Sequence, residues 1–299
     1  MSRALLCALL LATALLVRVW VAEAMVRDGT GGTDHVTGTN TRDLLRGGHG
    51  SDTLRGLGGE DVLLGDFGND KLFGDTGNDR LQGDSGDDRL IGGRGVDQLD
   101  GGSGNDTVDG GRGNDTAYLG DGNDVFSWDP GEGSDVIDGQ DGRDRMLFNG
   151  GAGADTVTMT ANFGRLTFFR NPGNVTMDTD NVETVDFNAL GGPDSVTVND
   201  LTGTDVTQTN LDLAAALGGS TADGAIDNVI VNATKGDDTI NVDGSRAGVD
   251  VTGLATAVAI KHADPTDVLS LNSVAGKDSV TVNGVAGLLQ LLIDGTPAA

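Results

Sequence analysis

Eleven aspartates spaced nine residues apart without a slip constrain this chain more than any other feature: Asp34, Asp43, Asp52, Asp61, Asp70, Asp79, Asp88, Asp97, Asp106, Asp115 and Asp124. A glycine stands two places before ten of them, and an apolar residue two places after every one. One complete unit reads Gly47-Gly48-His49-Gly50-Ser51-Asp52-Thr53-Leu54-Arg55, and residues 29–127 divide into 11 such units with no insertion. Two more follow after a two-residue insertion, carrying Asp135 with Ile137 and Asp144 with Met146. A fixed period of this length marks an architecture in which a unit buries its apolar residue only by stacking on its neighbours.

Each residue type has a physical role. Glycine admits φ > 0 and close backbone approach, so the six residues up to and including the aspartate are expected to curl into a tight turn with converging carbonyl oxygens. Calcium takes roughly six to eight oxygen ligands at about 2.3–2.6 Å, from carboxylates and backbone carbonyls alike. The aspartate supplies charge and the carbonyls supply the remaining oxygens. The triplet after the aspartate reads as a short strand whose middle side chain points inward, because strand side chains alternate faces.

These units resemble the hemolysin-type nonapeptide GGxGxDxUx of RTX proteins, where U is apolar, and the resemblance spans residues 29–147. It implies a right-handed parallel β-roll with two nonapeptides per coil, and multiple Ca2+ ions between the turns of successive coils, held by the sixth-position aspartates. On this chain it implies that Asp52 shares an ion with Asp70 and Asp61 with Asp79, down two columns. Eleven units paired two apart give about nine ions. The ends depart from the pattern. Thr41 replaces the glycine and Arg42 adjoins the acid in the unit of Asp43, and Leu119 opens the unit of Asp124. The regular run is therefore Asp52 to Asp115, with Asp34, Asp43, Asp124, Asp135 and Asp144 completing the candidate ligands.

The formal net charge of −27 argues against nucleic acid, which needs basic patches, and against an anionic membrane unless calcium bridges the two. It also sets up a switch. Stacked strands lie about 4.8 Å apart, where two carboxylates repel by about 3.5 kcal/mol at an effective dielectric of 20 and by under about 1 kcal/mol in water. One apolar side chain per nine residues is a small core to set against that repulsion and chain entropy. The repeat half is therefore expected to be largely unfolded without calcium and to fold as it binds.

Residues 1–24 read as a secretory signal: Arg3, an apolar stretch over 4–17 broken only by Thr13, and Ala22-Glu23-Ala24 as an A-x-A cleavage site. The apolar run is short for a membrane span. Arg18, followed by Val19-Trp20-Val21, leaves an uncleaved anchor open, and a start at Met25 with type I export is a third reading. All three place the repeats outside the cytosol. Cys7, the single cysteine, lies in this leader, so metal rather than disulfide would stabilise the mature chain.

From residue 148 the ladder fades and strand signals lengthen. Segments 155–159, 194–198, 238–242 and 278–282 echo one another at spacings of 39, 44 and 40, with further alternating runs at 182–187, 228–233, 249–252 and 267–271. Residues 211–217 are the best candidate for a short helix. The expected fold is all-β: the parallel β-roll over 29–147, followed over 148–299 by a longer-coil β-solenoid or a β-sandwich, the solenoid being favoured because such repeats bury a core by stacking. The Gly-x-Asp starts of this half read as structural turns, Pro193 and Lys277 standing where the pattern expects other residues.

No catalytic constellation stands out. His35, His49 and His262 are isolated in sequence, HExxH and GxSxG are absent, and Gly83-Asp84-Ser85-Gly86 imitates a serine-protease signature on residues that belong to the repeat. The expected function is that of a secreted, non-enzymatic calcium-binding protein, structural or adhesive at the cell surface or in the matrix, with surface or matrix polysaccharide as a partner. The alternative is a polysaccharide-processing β-helix enzyme of the lyase or epimerase type that uses the roll as a folding module. Against it, the second half holds five phenylalanines, no Trp or Tyr, and six Lys/Arg.

Overall fold

A computed structural model describes residues 25–298; the leader with Cys7 lies outside the described residues. Each unit contributes one strand, and successive strands fall alternately into two sheets, so two units make one coil. All pairings within the roll are parallel. In one sheet Leu45, Leu63, Leu81, Leu99 and Ala117 lie side by side at an 18-residue register. In the other, Val36, Leu54, Leu72, Leu90, Val108 and Phe126 do the same. Every eighth-position side chain from Leu45 to Met146 is 0 % exposed, and each buried leucine contributes about 1.5–3 kcal/mol.

The strands are longer than the expected triplet. Lys71–Thr76 and Arg89–Arg94 each run six residues, because the first three positions of the following unit stay in the ladder. Gly56, for example, donates its N–H to the Phe73 carbonyl at 2.8 Å. The turn is thereby confined to positions four to six. Gly77 shows why position four is glycine: its φ is +143°, and a methyl group there would stand 1.4 Å from the Gly59 carbonyl oxygen of the preceding coil.

The two-residue insertion lengthens one coil to a 20-residue register, pairing Thr116 with Val136 and Val125 with Arg145. Trp128 enters the core here. Its ring stacks on Phe148 at 4.0 Å and 8°, and Phe148 in turn meets Phe168 at 4.5 Å and Phe187 at 6.3 Å. This aromatic cluster fills the wider cross-section where the leucine-lined roll gives way to larger coils.

Of the two architectures expected after residue 148, the solenoid forms. The same two sheets, of 15 and 13 strands, run through the whole described chain. The change is in how strands are added. Thr156–Asn162, Arg165–Asn171 and Val175–Asp180 form an antiparallel return in one sheet, so that Val175–Asp180 lies beside Val136–Gly142 while Ser195–Val198 continues beyond Thr156–Asn162. Thr239–Ser245, Gly248–Thr252 and Ala257–Lys261 make a matching return in the other sheet. These returns lie within the spacings of 39 and 40.

The short helix expected at 211–217 does not form. Leu211 belongs to strand Gln208–Asp212, paired with Phe187 on one side and Ile260 on the other, and the following residues are irregular. Seven residues are too few to nucleate a helix against two satisfied ladders. No helix among the described residues is long and apolar enough to cross a membrane.

Candidate metal centre

Each sixth-position aspartate sits where the turn enters a strand. There it is buried: Asp43, Asp52, Asp61, Asp70, Asp79, Asp88, Asp97, Asp106, Asp115, Asp124, Asp135 and Asp144 all lie within the roll. Its own N–H donates to Oδ1 of the aspartate one coil on. The bond from Asp52 to Asp70 is 2.7 Å, from Asp61 to Asp79 2.8 Å, and from Asp97 to Asp115 2.7 Å. The pattern crosses the longer coil, from Asp115 to Asp135 at 2.8 Å and from Asp124 to Asp144 at 2.9 Å. The carboxylates therefore stack in two columns, one leading into each sheet.

The other oxygen, Oδ2, is the chemically open one. In Asp52, Asp61, Asp70, Asp79, Asp88, Asp97, Asp106, Asp115, Asp124, Asp135 and Asp144 it is buried with no hydrogen-bond partner. Where the unit opens on glycine, this oxygen hangs over that residue: a methyl group on Gly65 would stand 2.5 Å from Asp70 Oδ2 and 2.7 Å from the Gly83 carbonyl oxygen. Glycine thus keeps clear a cradle lined by carboxylate and carbonyl oxygens. No group of three or more His, Cys, Asp or Glu side chains converges among the described residues. A cation between two stacked turns would take two carboxylates and complete its shell from carbonyls, a donor set that suits calcium.

Burial is the main force on these acids. It pushes Asp79, Asp88, Asp97, Asp106, Asp115 and Asp144 up to about 7, and Asp61, Asp70 and Asp135 to about 6. The stacking N–H bond opposes this shift and the charges of neighbouring acids add to it. Asp124 is raised for the same reasons.

The first two units differ. Oδ2 of Asp34 accepts from the Thr30 N–H at 2.6 Å and the Thr30 hydroxyl at 2.8 Å, which lower its pKa. Oδ2 of Asp43 accepts from the Thr39 N–H and hydroxyl. Both residues join their columns, their N–H groups donating to Oδ1 of Asp52 and Asp61 at 2.7 Å, but the Oδ2 atoms of Asp34 and Asp43 are already engaged.

Sequence reasoning missed three features. Fifth-position side chains form a ladder of their own on the outside of the turns: Asn69 accepts from the Asp87 N–H, Asn78 from Val96, Asn105 from Asn123 and Asn114 from Ser134, at 2.9–3.1 Å. The carboxylate columns also extend into the longer coils. Glu183 accepts from the Asp144 N–H at 2.7 Å, and Asp155, Asp194, Asp227 and Asp267 stack in series at 2.7–2.9 Å. Asp238 stacks on Asp278 at 2.9 Å in the other column, so the spacing of 44 between Asp194 and Asp238 joins opposite columns. Finally, His262 Nδ1 lies 2.7 Å from Asp212 Oδ1, a pair brought together across 50 residues.

The profile described as the RTX calcium-binding nonapeptide repeat matches four stretches, residues 28–63, 64–99, 100–127 and 131–157. No curated protein matches the chain. Two columns of stacked aspartates, the glycine cradles beneath them and this match agree: residues 28–157 are an array of RTX calcium-binding nonapeptide repeats.

Proposed function

We propose that the protein is a secreted, non-enzymatic calcium-binding protein, structural or adhesive at the cell surface or in the matrix, whose repeat half folds as calcium binds. The observation that carries this reading is the set of eleven buried Oδ2 atoms from Asp52 to Asp144 that lack a partner. A buried carboxylate without a counter-charge is costly, so at neutral pH the stacked coil calls for a cation at each step. Extracellular calcium modules work with affinities of about 10⁻⁴–10⁻³ M, and the reading of residues 1–24 as a secretory signal supports placing the chain in that environment. Far-UV circular dichroism tests the coupling. The expected result is a coil-like spectrum in excess chelator that becomes β-rich on adding calcium; an unchanged spectrum overturns it.

A second reading, a polysaccharide-processing enzyme, is favoured by one observation. A shallow groove of about 570 Å³ runs along the outer face of the roll, lined by Phe73, Ile91, Arg94, Asp109, Arg112 and Glu132. Burial, together with the charges of Asp109, Asp129 and Asp135, pushes Glu132 up to about 8, which puts a carboxyl group of raised pKa at one end of the groove. Incubation of the calcium-loaded protein with anionic polysaccharides, followed by product detection, separates the readings: new chain ends or epimerised residues support the enzyme, and a polymer unchanged in both length and stereochemistry supports the binding protein.

A further inference from the structure

Residues 150–158 read Gly150-Gly151-Ala152-Gly153-Ala154-Asp155-Thr156-Val157-Thr158, a complete GGxGxDxUx unit, and residues 131–157 fall in the last stretch that the RTX profile matches. By sequence this is one more calcium unit. Its surroundings differ from those of every other unit in the array.

Asp155 Oδ1 pairs with Arg170 Nη2 at 2.7 Å, the two side chains being 1 % and 7 % exposed. The contact is an ion pair rather than an aligned hydrogen bond. Oδ2, the oxygen left open from Asp52 to Asp144, accepts from the Gly151 N–H at 2.7 Å. Arg170 reaches this point from strand Arg165–Asn171 of the antiparallel return, its Nη1 donating to the Pro172 carbonyl at 3.2 Å and its guanidinium lying 5.5 Å over the Trp128 ring. A guanidinium keeps its proton in proteins, so a fixed positive charge stands against this carboxylate whatever the calcium concentration.

Both columns change at this level. One passes from Asp144 to Glu183. The other loses its acid above Asp135, where the register brings in Met177, and resumes at Asp155.

We propose that the Arg170 guanidinium takes the place of calcium at Asp155: this unit, complete in sequence, holds no ion, and the calcium array stops at Asp144. The inference rests on the reading that the repeats bind calcium through their sixth-position aspartates. It makes the seam between roll and longer coils calcium-independent, closed by a charge the chain carries itself. A divalent ion brought to the same buried carboxylate would meet the guanidinium at close range in a site with little water to screen the two.

Calorimetric calcium titration of the full chain tests this with three proteins. Asp97→Asn is expected to bind at least one ion fewer than the unsubstituted chain, and Asp155→Asn the same number. A loss in Asp155→Asn equal to that in Asp97→Asn overturns the proposal. An unsubstituted chain that binds no calcium overturns the underlying reading instead. Melting at saturating calcium guards against simple misfolding. Arg170→Met strands a buried carboxylate, so the double variant Arg170→Met/Asp155→Asn is expected to melt higher than Arg170→Met alone. A double variant that melts at the same temperature or lower overturns the pairing.

Discussion

Replacing Asp97 by asparagine separates two opposed consequences of one carboxylate. Asp97 lies between Asp79 and Asp115 in its column, with stacking bonds of 2.8 and 2.7 Å. Burial, with the charge of Asp115 adding to it, raises Asp97 to about 7, so the charge is fully present at pH 8.5. Each neighbour is one coil away, about 4.8 Å, where charge repulsion runs from about 0.9 kcal/mol in water to about 3.5 kcal/mol at an effective dielectric of 20. Removing the central charge should therefore favour the metal-free coil by roughly 2 to 7 kcal/mol, the lower end applying where water enters the turns. With calcium the sign reverses. The substitution takes one carboxylate from the Asp79–Asp97 cradle and one from the Asp97–Asp115 cradle, and the loaded protein should melt lower. In chelator, folding can be driven by titrating trimethylamine oxide, which strengthens burial by exclusion from the protein surface, and followed by circular dichroism. Asp97→Asn should need less osmolyte than the unsubstituted chain, yet unfold earlier in calcium. A shift of the same sign in both conditions would refute the electrostatic argument.

Four further outcomes follow from particular residues. The metal-free coil should gain β-structure as pH falls from 8 towards 5: the folded carboxyls at about 6–7 hold more protons than unfolded aspartates at about 3.9 throughout that window, so folding takes up protons. The same protons compete with calcium, whose apparent affinity should be lower at pH 6 than at pH 8; a pH-independent spectrum in chelator and a pH-independent titration would contradict both statements. Gly77→Ala should prevent the coils from closing, since its methyl would lie 1.4 Å from a carbonyl oxygen, whereas Gly31→Ala, with nothing within 4 Å, should melt like the unsubstituted protein. Leu57 holds a left-handed φ of +79° where most units carry glycine or aspartate, so Leu57→Gly should stabilise the loaded roll by about 1 kcal/mol in urea unfolding.

The roll was legible because position and period coincide. Each aspartate of the nine-residue ladder takes the same place in its coil, and each eighth-position residue falls on the core. The turn was read too long because glycine was taken to mean turn throughout, whereas a first-position glycine such as Gly65 is extended and leaves room for Asp Oδ2. The fifth-position ladder was hidden by its mixture of Asn, Asp and other residues. In the second half the strands were visible from alternation and stacking was expected, but its register was not legible, because column neighbours lie 33 to 40 residues apart, with antiparallel returns inside the steps of 39 and 40. Asp227 and Asp267 carry Ala225 and Pro265 where the pattern has glycine. Arg170 could not be assigned from sequence, since only the hairpin that doubles back places it on Asp155.

Calcium stoichiometry by calorimetry tests the central claim most directly. Nine stacked pairs have both Oδ2 atoms open: Asp52–Asp70, Asp61–Asp79, Asp70–Asp88, Asp79–Asp97, Asp88–Asp106, Asp97–Asp115, Asp106–Asp124, Asp115–Asp135 and Asp124–Asp144. The threonine-satisfied Asp34 and Asp43 add two weaker ones with Asp52 and Asp61. The account predicts about nine ions per chain, rising towards eleven at high calcium; saturation at one or two would contradict it.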